Sequence, residues 1–179
     1  MIMRSENSRG LTFVEILVTL AVLGALAAIL IPSASKMKAS AMSTQCVGKL
    51  RDIGIGLNNY FLENGRRYPD LATARESREE EIPTLDTVLL EYVPDEFIFQ
   101  CPADHSDFFE RTGSSYFWNS LVNGQRLGNM DLLGMKSHES GIPVVSDKEN
   151  FHKHIGDGVN VLYADGHVLR EVQFVVDNR

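Results

Sequence analysis

A chain of 179 residues and 20.0 kDa has the length of one domain, with room for a modest core and one long additional element. Its 17 basic and 24 acidic residues leave a formal net charge of -7, which argues against a nucleic-acid-binding surface and for solubility of whatever part faces water. Two cysteines, Cys46 and Cys101, are too few for a disulfide framework and lack the spacing of a four-ligand zinc site.

The first predicted element is an apolar helix from Leu11 to Ile31, with Glu15 as its single charged residue. At about 1.5 Å per residue it spans roughly 30 Å, the thickness of a bilayer's hydrocarbon. An ordinary secretory signal has an apolar region of only about 7–15 residues, so this run reads as an anchor. The flank MIMRSENSRG is short and polar and ends in Gly10. Arg9-Gly10, then Leu11-Thr12-Phe13-Val14-Glu15, the apolar run and Pro32 together resemble the type IV prepilin family. The resemblance implies that a prepilin peptidase cuts after Gly10 on the cytoplasmic side and N-methylates Leu11. It also implies that Glu15 neutralises the N-terminal amine of a neighbouring subunit during assembly. The implied partners are the peptidase, other pilin or pseudopilin subunits of a filament, an inner-membrane assembly platform and membrane lipid, with no nucleic acid. The precursor is then a single-pass inner-membrane protein with its head in the periplasm. The chemistry of each part agrees: glycine lets an extended backbone enter a peptidase cleft, and a carboxylate in an apolar helix costs enough to want a partner. Without the resemblance, the run is an unprocessed signal anchor and Glu15 a residue that snorkels to the interface. Basic residues do not decide the orientation, because Arg4 and Arg9 on one side face Lys36, Lys38, Lys49 and Arg51 on the other.

Beyond Pro32, Ala39, Met42, Cys46, Leu50, Ile53, Leu57 and Tyr60 recur at spacings of three and four, with Lys49, Asp52, Asn59 and Glu63 off the stripe. The spacing predicts an amphipathic helix that continues the anchor, bends at Pro32 and stops at Asn64-Gly65. The expected organisation is a leader at 1–10, a transmembrane helix at 11–31, its amphipathic continuation at 32–64 and a globular head at 65–179. Within the head, RESREEE at 75–81 reads as a solvated charge run, TLDTVLLEYV at 84–93 as helix, and FIFQ at 97–100 and SYFW at 115–118 as strands. Further strands are expected in IPVVSD at 142–147, VNVLYA at 159–164 and VLREVQFVV at 168–176, with a hairpin turn at Asp165-Gly166. The fold class is α+β: a long helix packed on a small antiparallel sheet. If the head lies outside the cytosol, Cys46 and Cys101 form one bridge; otherwise they are two buried thiols.

CVGKLRDIGIGLNNYFLENGRRYP at 46–69, FQCPAD at 99–104, SYFWNS at 115–120 and HIGDGVNVLYADGHV at 154–168 resemble pilin-like proteins with a C-terminal motif of His, nine residues, then Asp-Gly. Here ten residues separate His154 from Asp165. The resemblance implies a secreted-face domain of the kind found with pseudopilins of type II secretion systems. His138, Asp147, His152, His154, Asp157, Asp165 and His167 also raise a metal site. Asp147, Asp157 and Asp165 suit calcium, and His154 with His167 and a carboxylate suits zinc, while Asp165 reads first as a turn residue, because Asp-Gly needs no metal to explain it. No cofactor is otherwise expected. The leading function is structural, a filament subunit and not an enzyme. The alternatives are a membrane-anchored hydrolase or metal-binding domain using His138, His154, Asp165 and His167, and a tip adhesin using Tyr116 and Trp118.

Overall fold

In the computed structural model, the described residues are 12–132, 135–136, 138–153 and 155–171. Helix α1, Phe13–Glu63, runs 51 residues and is continuous through position 32. It ends where the sequence predicts: Gly65 and Arg66 take left-handed backbone, and Arg66 N donates to Phe61 O at 3.0 Å. Two compact units divide between Lys38 and Ala39, and the second, the head, contains the second half of α1.

In the helical unit, the apolar side chains from Phe13 to Ile31 are exposed, Leu23 at 61%. In the head, α1 contributes Cys46, Val47, Leu50, Ile53, Leu57 and Phe61 to the core, while Ala39, Met42 and Tyr60 are half-buried. The stripe is therefore displaced slightly from the expected one, with Phe61 inside in place of Tyr60. Gly56 allows a close approach: a Cβ there would meet Val93 Cγ1 at 2.6 Å and the Tyr92 carbonyl oxygen at 3.5 Å.

The segment expected to be helical forms α2, Leu85–Leu89, followed by a 3₁₀ turn at Leu90–Tyr92. FIFQ is not a strand. Glu96–Phe99 is a 3₁₀ turn because the Asp95 carboxylate accepts from Phe97 N at 2.8 Å and winds the backbone locally. Its burial shows the same thing, with Ile98 and Phe99 adjacent and both buried beside Phe97, which is 55% exposed. Helix α3, Phe108–Thr112, is capped from a distance by Asp104, which accepts from Phe108 N and Phe109 N at 3.2 and 3.0 Å.

Strands β1 (Tyr116–Trp118), β4 (Pro143–Asp147), β5 (Val161–Tyr163) and β6 (Val168–Leu169) form one antiparallel sheet in that order. A small ribbon pairs β2 (Asp131–Leu132) with β3 (Met135–Lys136). Tyr116, Trp118, Val144, Val145 and all of β5 are buried with the α1 stripe, which gives the expected α+β architecture. The final strand is shorter than expected among the described residues. Arg170 leaves the ladder because its carbonyl accepts from Asp157 N at 3.0 Å, and 172–176 lie outside the described residues. The β5–β6 hairpin also differs in detail: Tyr163 N donates to His167 O and Gly166 N to Tyr163 O, closing a three-residue loop in which Gly166 alone takes positive φ, 89°.

Candidate functional site

Two places concentrate the chemistry: the start of α1 and a buried polar cluster in the head. At the start of α1, Thr12 N and Thr12 Oγ1 donate to Glu15 Oε2 at 2.7 and 2.8 Å, and Glu15 N donates to Thr12 Oγ1 at 3.3 Å. This reciprocal capping box satisfies donors that a helix end leaves open, and it holds the carboxylate at the positive end of the helix dipole. Thr-x-x-Glu was legible in the sequence as a helix-start signal, and the reading of Glu15 as an unpartnered carboxylate overlooked it. From Phe13 onward the helix is long and apolar enough to cross a membrane, by length and composition. Gly10 and Leu11 lie outside the described residues.

In the head, a disulfide joins Cys46 of α1 to Cys101, with their Cα atoms 5.2 Å apart. Cys101 N donates to Ser115 Oγ at 3.1 Å, and Ser115 Oγ donates to Asp104 Oδ2 at 2.7 Å, so the FQCPAD segment is fastened to β1 beside the bridge. Against the bridge lies His152, its Nε2 3.6 Å from Cys101 Sγ and 3.7 Å from Asp147 Oδ2. Asp147 ends β4, where Asn160 N and Nδ2 donate to its Oδ2 at 2.7 and 2.9 Å. Burial pushes the Asp147 carboxyl up to about 7, against the lowering effect of those two bonds. Burial likewise pushes His152 down, and the Arg170 charge adds to it. Both shifts favour neutral forms, so at 3.7 Å the pair is a polar contact more than an ion pair. Tyr116 faces Asp147 across the β1–β4 ladder, and burial raises its hydroxyl well above the ordinary tyrosine range. Asp147 Oδ1, Asn160 Oδ1 and Tyr116 Oη have no hydrogen-bond partner among the described residues.

The expected metal-ligand set is distributed over separate places. Asp147 is in this buried cluster. Asp165 and His167 pair with each other at the exposed β5–β6 turn: Asp165 Oδ1 is 2.5 Å from His167 Nδ1, and the imidazole stacks on Tyr163 with centroids 4.5 Å apart. Asp157 and His138 are exposed, and His154 lies outside the described residues. Among the described residues, Cys46, Cys101 and His152 are the group of three whose ligand atoms converge, and the two sulfurs are already bonded to each other. Tyr116 and Trp118, named for adhesion, are core residues: Trp118 is 0% exposed and its Nε1 donates to Asn123 Oδ1 at 2.7 Å. Sequence reasoning passed over Asn160, whose partnership with Asp147 depends on a strand register that no local pattern records.

Over 129 residues the chain is 30% identical to the type II secretion system core protein G of Escherichia coli strain K12, a match covering 72% of this chain and 81% of that protein. No protein-family model and no solved structure matches the chain. A long apolar α1, a small antiparallel sheet packed on its second half and this relationship agree, and the chain belongs to the pseudopilin family of type II secretion system core protein G.

Proposed function

We propose that the chain is a prepilin, cut after Gly10, N-methylated on Leu11 and assembled through α1 into the pseudopilus of a type II secretion system. Family membership carries this reading, and the exposed apolar face of α1 from Phe13 to Ile31 supports it, because such a face needs lipid or neighbouring helices around it. Removal of residues 1–10 leaves an amine on Leu11, one residue ahead of Thr12. Both Thr12 bonds fall on Glu15 Oε2, so Oε1 takes no hydrogen bond from the described residues and can accept from the amine of an adjacent subunit. An amine–carboxylate pair in a low-dielectric setting sets the register between helices more strongly than apolar packing alone. The inner-membrane precursor, the periplasmic head, and the roles of the peptidase and the assembly platform follow from the same reading. The test is intact mass and N-terminal sequencing of protein from membranes of cells that contain a prepilin peptidase. A chain beginning at N-methylated Leu11 is expected; one that retains residues 1–10 overturns the proposal and leaves a plain anchored domain.

A further inference from the structure

The disulfide of the head has a base built against it. Cys46, Cys101 and His152 are all more than nine-tenths buried, and His152 Nε2 stands 3.6 Å from Cys101 Sγ, the distance of a sulfur–imidazole hydrogen bond. On its other side His152 borders a cleft of about 360 Å³ lined in part by Met42, Ala103, His105, Glu149 and Phe151. The cleft thus reaches a side chain that touches the bridge. Neither the filament reading nor the fold requires an imidazole at that point, since an apolar residue would pack as well against a disulfide.

We propose that His152 serves the chain's own disulfide chemistry: in the reduced chain its Nε2 takes the proton of the Cys101 thiol, making Cys101 the nucleophile that begins bridge formation. The Cys101 thiolate attacks a disulfide R–S–S–R of the oxidant, the S–S bond breaks, and R–S⁻ leaves and takes the proton back from the imidazolium. The Cys46 thiol then displaces the second R–SH from Cys101–S–S–R, closing Cys46–Cys101. Two protein thiols are oxidised and one R–S–S–R is reduced to two R–SH. The oxidant is a disulfide of low molecular weight or of an oxidoreductase, admitted through the cleft. Burial and the Arg170 guanidinium that follows β6 lower the basicity of His152; Asp147 of β4 and the Cys101 sulfur contact it, Tyr116 of β1 stands behind Asp147, and His105, Glu149 and Lys153 line the same cleft. Burial keeps His152 neutral at neutral pH and disfavours its imidazolium, so proton transfer depends on the thiolate formed 3.6 Å away to offset that cost. Asp147 Oδ2, 3.7 Å from the same nitrogen, then faces the imidazolium once it forms.

The size of the effect can be bounded. Lowering a thiol from about 8.5 to about 7 raises its thiolate fraction at neutral pH roughly fifteenfold, but nucleophilicity falls with basicity, so the net rate gain is about threefold. The experiment uses the full chain in detergent with Cys46→Ser, so that Cys101 is the one thiol, and oxidised glutathione as the probe. The rate of mixed-disulfide formation is read by intact mass between about pH 5.5 and 9.5. The expected midpoint lies at least one unit below that of the Cys101→Ser chain, which reports on Cys46 alone, and adding His152→Gln moves it back while slowing the reaction at pH 7 by about threefold. A Cys101 midpoint at or above that of Cys46, with His152 intact, overturns the proposal without depending on whether the His152 variant folds. An unchanged midpoint in a folded His152→Gln chain overturns it independently.

Discussion

Helix α1 carries apolar side chains along most of its length, yet its two halves use them differently. From Phe13 to Ile31 they are exposed on every side of the helix, and no face is distinguished from another. From Ala39 to Glu63 they are sorted: Cys46, Leu50, Ile53, Leu57 and Phe61 are buried, whereas Ile55 and Leu62 are exposed among polar neighbours. An apolar helix is sorted by its surroundings. Where one side meets a protein core and the other meets water, a stripe at spacings of three and four suffices; where lipid or other apolar helices surround it, the whole circumference is apolar. Composition alone does not make this distinction, and periodicity does.

The comparison is broken most directly by truncating one buried residue of the second half. Leu50 is fully buried in the core of the head, and Leu50→Ala is expected to lower head stability by about 3–5 kcal/mol through lost transfer and a residual cavity. Trp118, the single tryptophan, is buried in the head and reports its unfolding by fluorescence in denaturant. A loss below about 1 kcal/mol would mean that α1 is not integral to that core. Next in size is the bridge from the same half of the helix. Cys46 and Cys101 are 55 residues apart, and Cys46→Ser is expected to cost about 2–4 kcal/mol, mostly by freeing the unfolded chain. Wild type measured in reductant should match the variant; if the two differ, the serine itself has disturbed the packing.

A smaller effect tests the polar part of the core on which α1 lies. Asp147 titrates near 3.8 when unfolded and at about 7 in the fold, so the folded state binds its proton more tightly. Its contribution to stability is complete below about pH 4 and is lost as pH rises towards about 7, amounting to about 2 kcal/mol between pH 5 and pH 7.5. His152 works in the opposite sense. Its folded value is depressed, so stability from that group grows as pH rises towards its ordinary 6.5. Denaturation of Asp147→Asn across this range should therefore lose the falling limb and keep the rising one. A pH profile identical to wild type would show that Asp147 is ionised in the fold despite its burial.

Much of this organisation was legible because it is periodic or covalent. The α1 stripe follows from spacing, with Val47 and Phe61 also inside it and Tyr60 half-buried at its edge, a small drift in phase along the helix. Two cysteines admit a single intrachain pairing, so the bridge needed only a compartment. The β5–β6 hairpin could be read from Asp165-Gly166, although its three-residue form could not. What was hidden depends on partners distant in sequence. The Asp95 side chain, not the apolar run after it, decides that FIFQ turns. Asp147 and Asn160 meet because β4 and β5 pair with an irregularity between Pro143 and Val145, and His152 reaches Cys101 across 51 residues. A list of acidic and histidine residues near the C-terminus therefore suggested one cluster, while the fold makes two: a buried group around Asp147 and His152 and an exposed turn pair of Asp165 and His167.

The smallest expected effect is the sharpest test of the difference between the halves of α1. Leu23 and Leu50 are the same residue type in the same helix, and a helix-propensity argument gives Leu→Ala at either position a change of a few tenths of a kcal/mol in the favourable direction. Only the surroundings separate them. With the full chain in detergent micelles, Leu23 contacts detergent before and after the head unfolds, so Leu23→Ala removes no contact that head folding creates. The Trp118 transition should then stay within about 0.5 kcal/mol of wild type, against several kcal/mol for Leu50→Ala. A Leu23→Ala loss comparable to that of Leu50→Ala would mean that the first half of α1 also packs on the head in the monomer, and the exposed circumference from Phe13 to Ile31 would no longer be available to lipid or to neighbouring subunits.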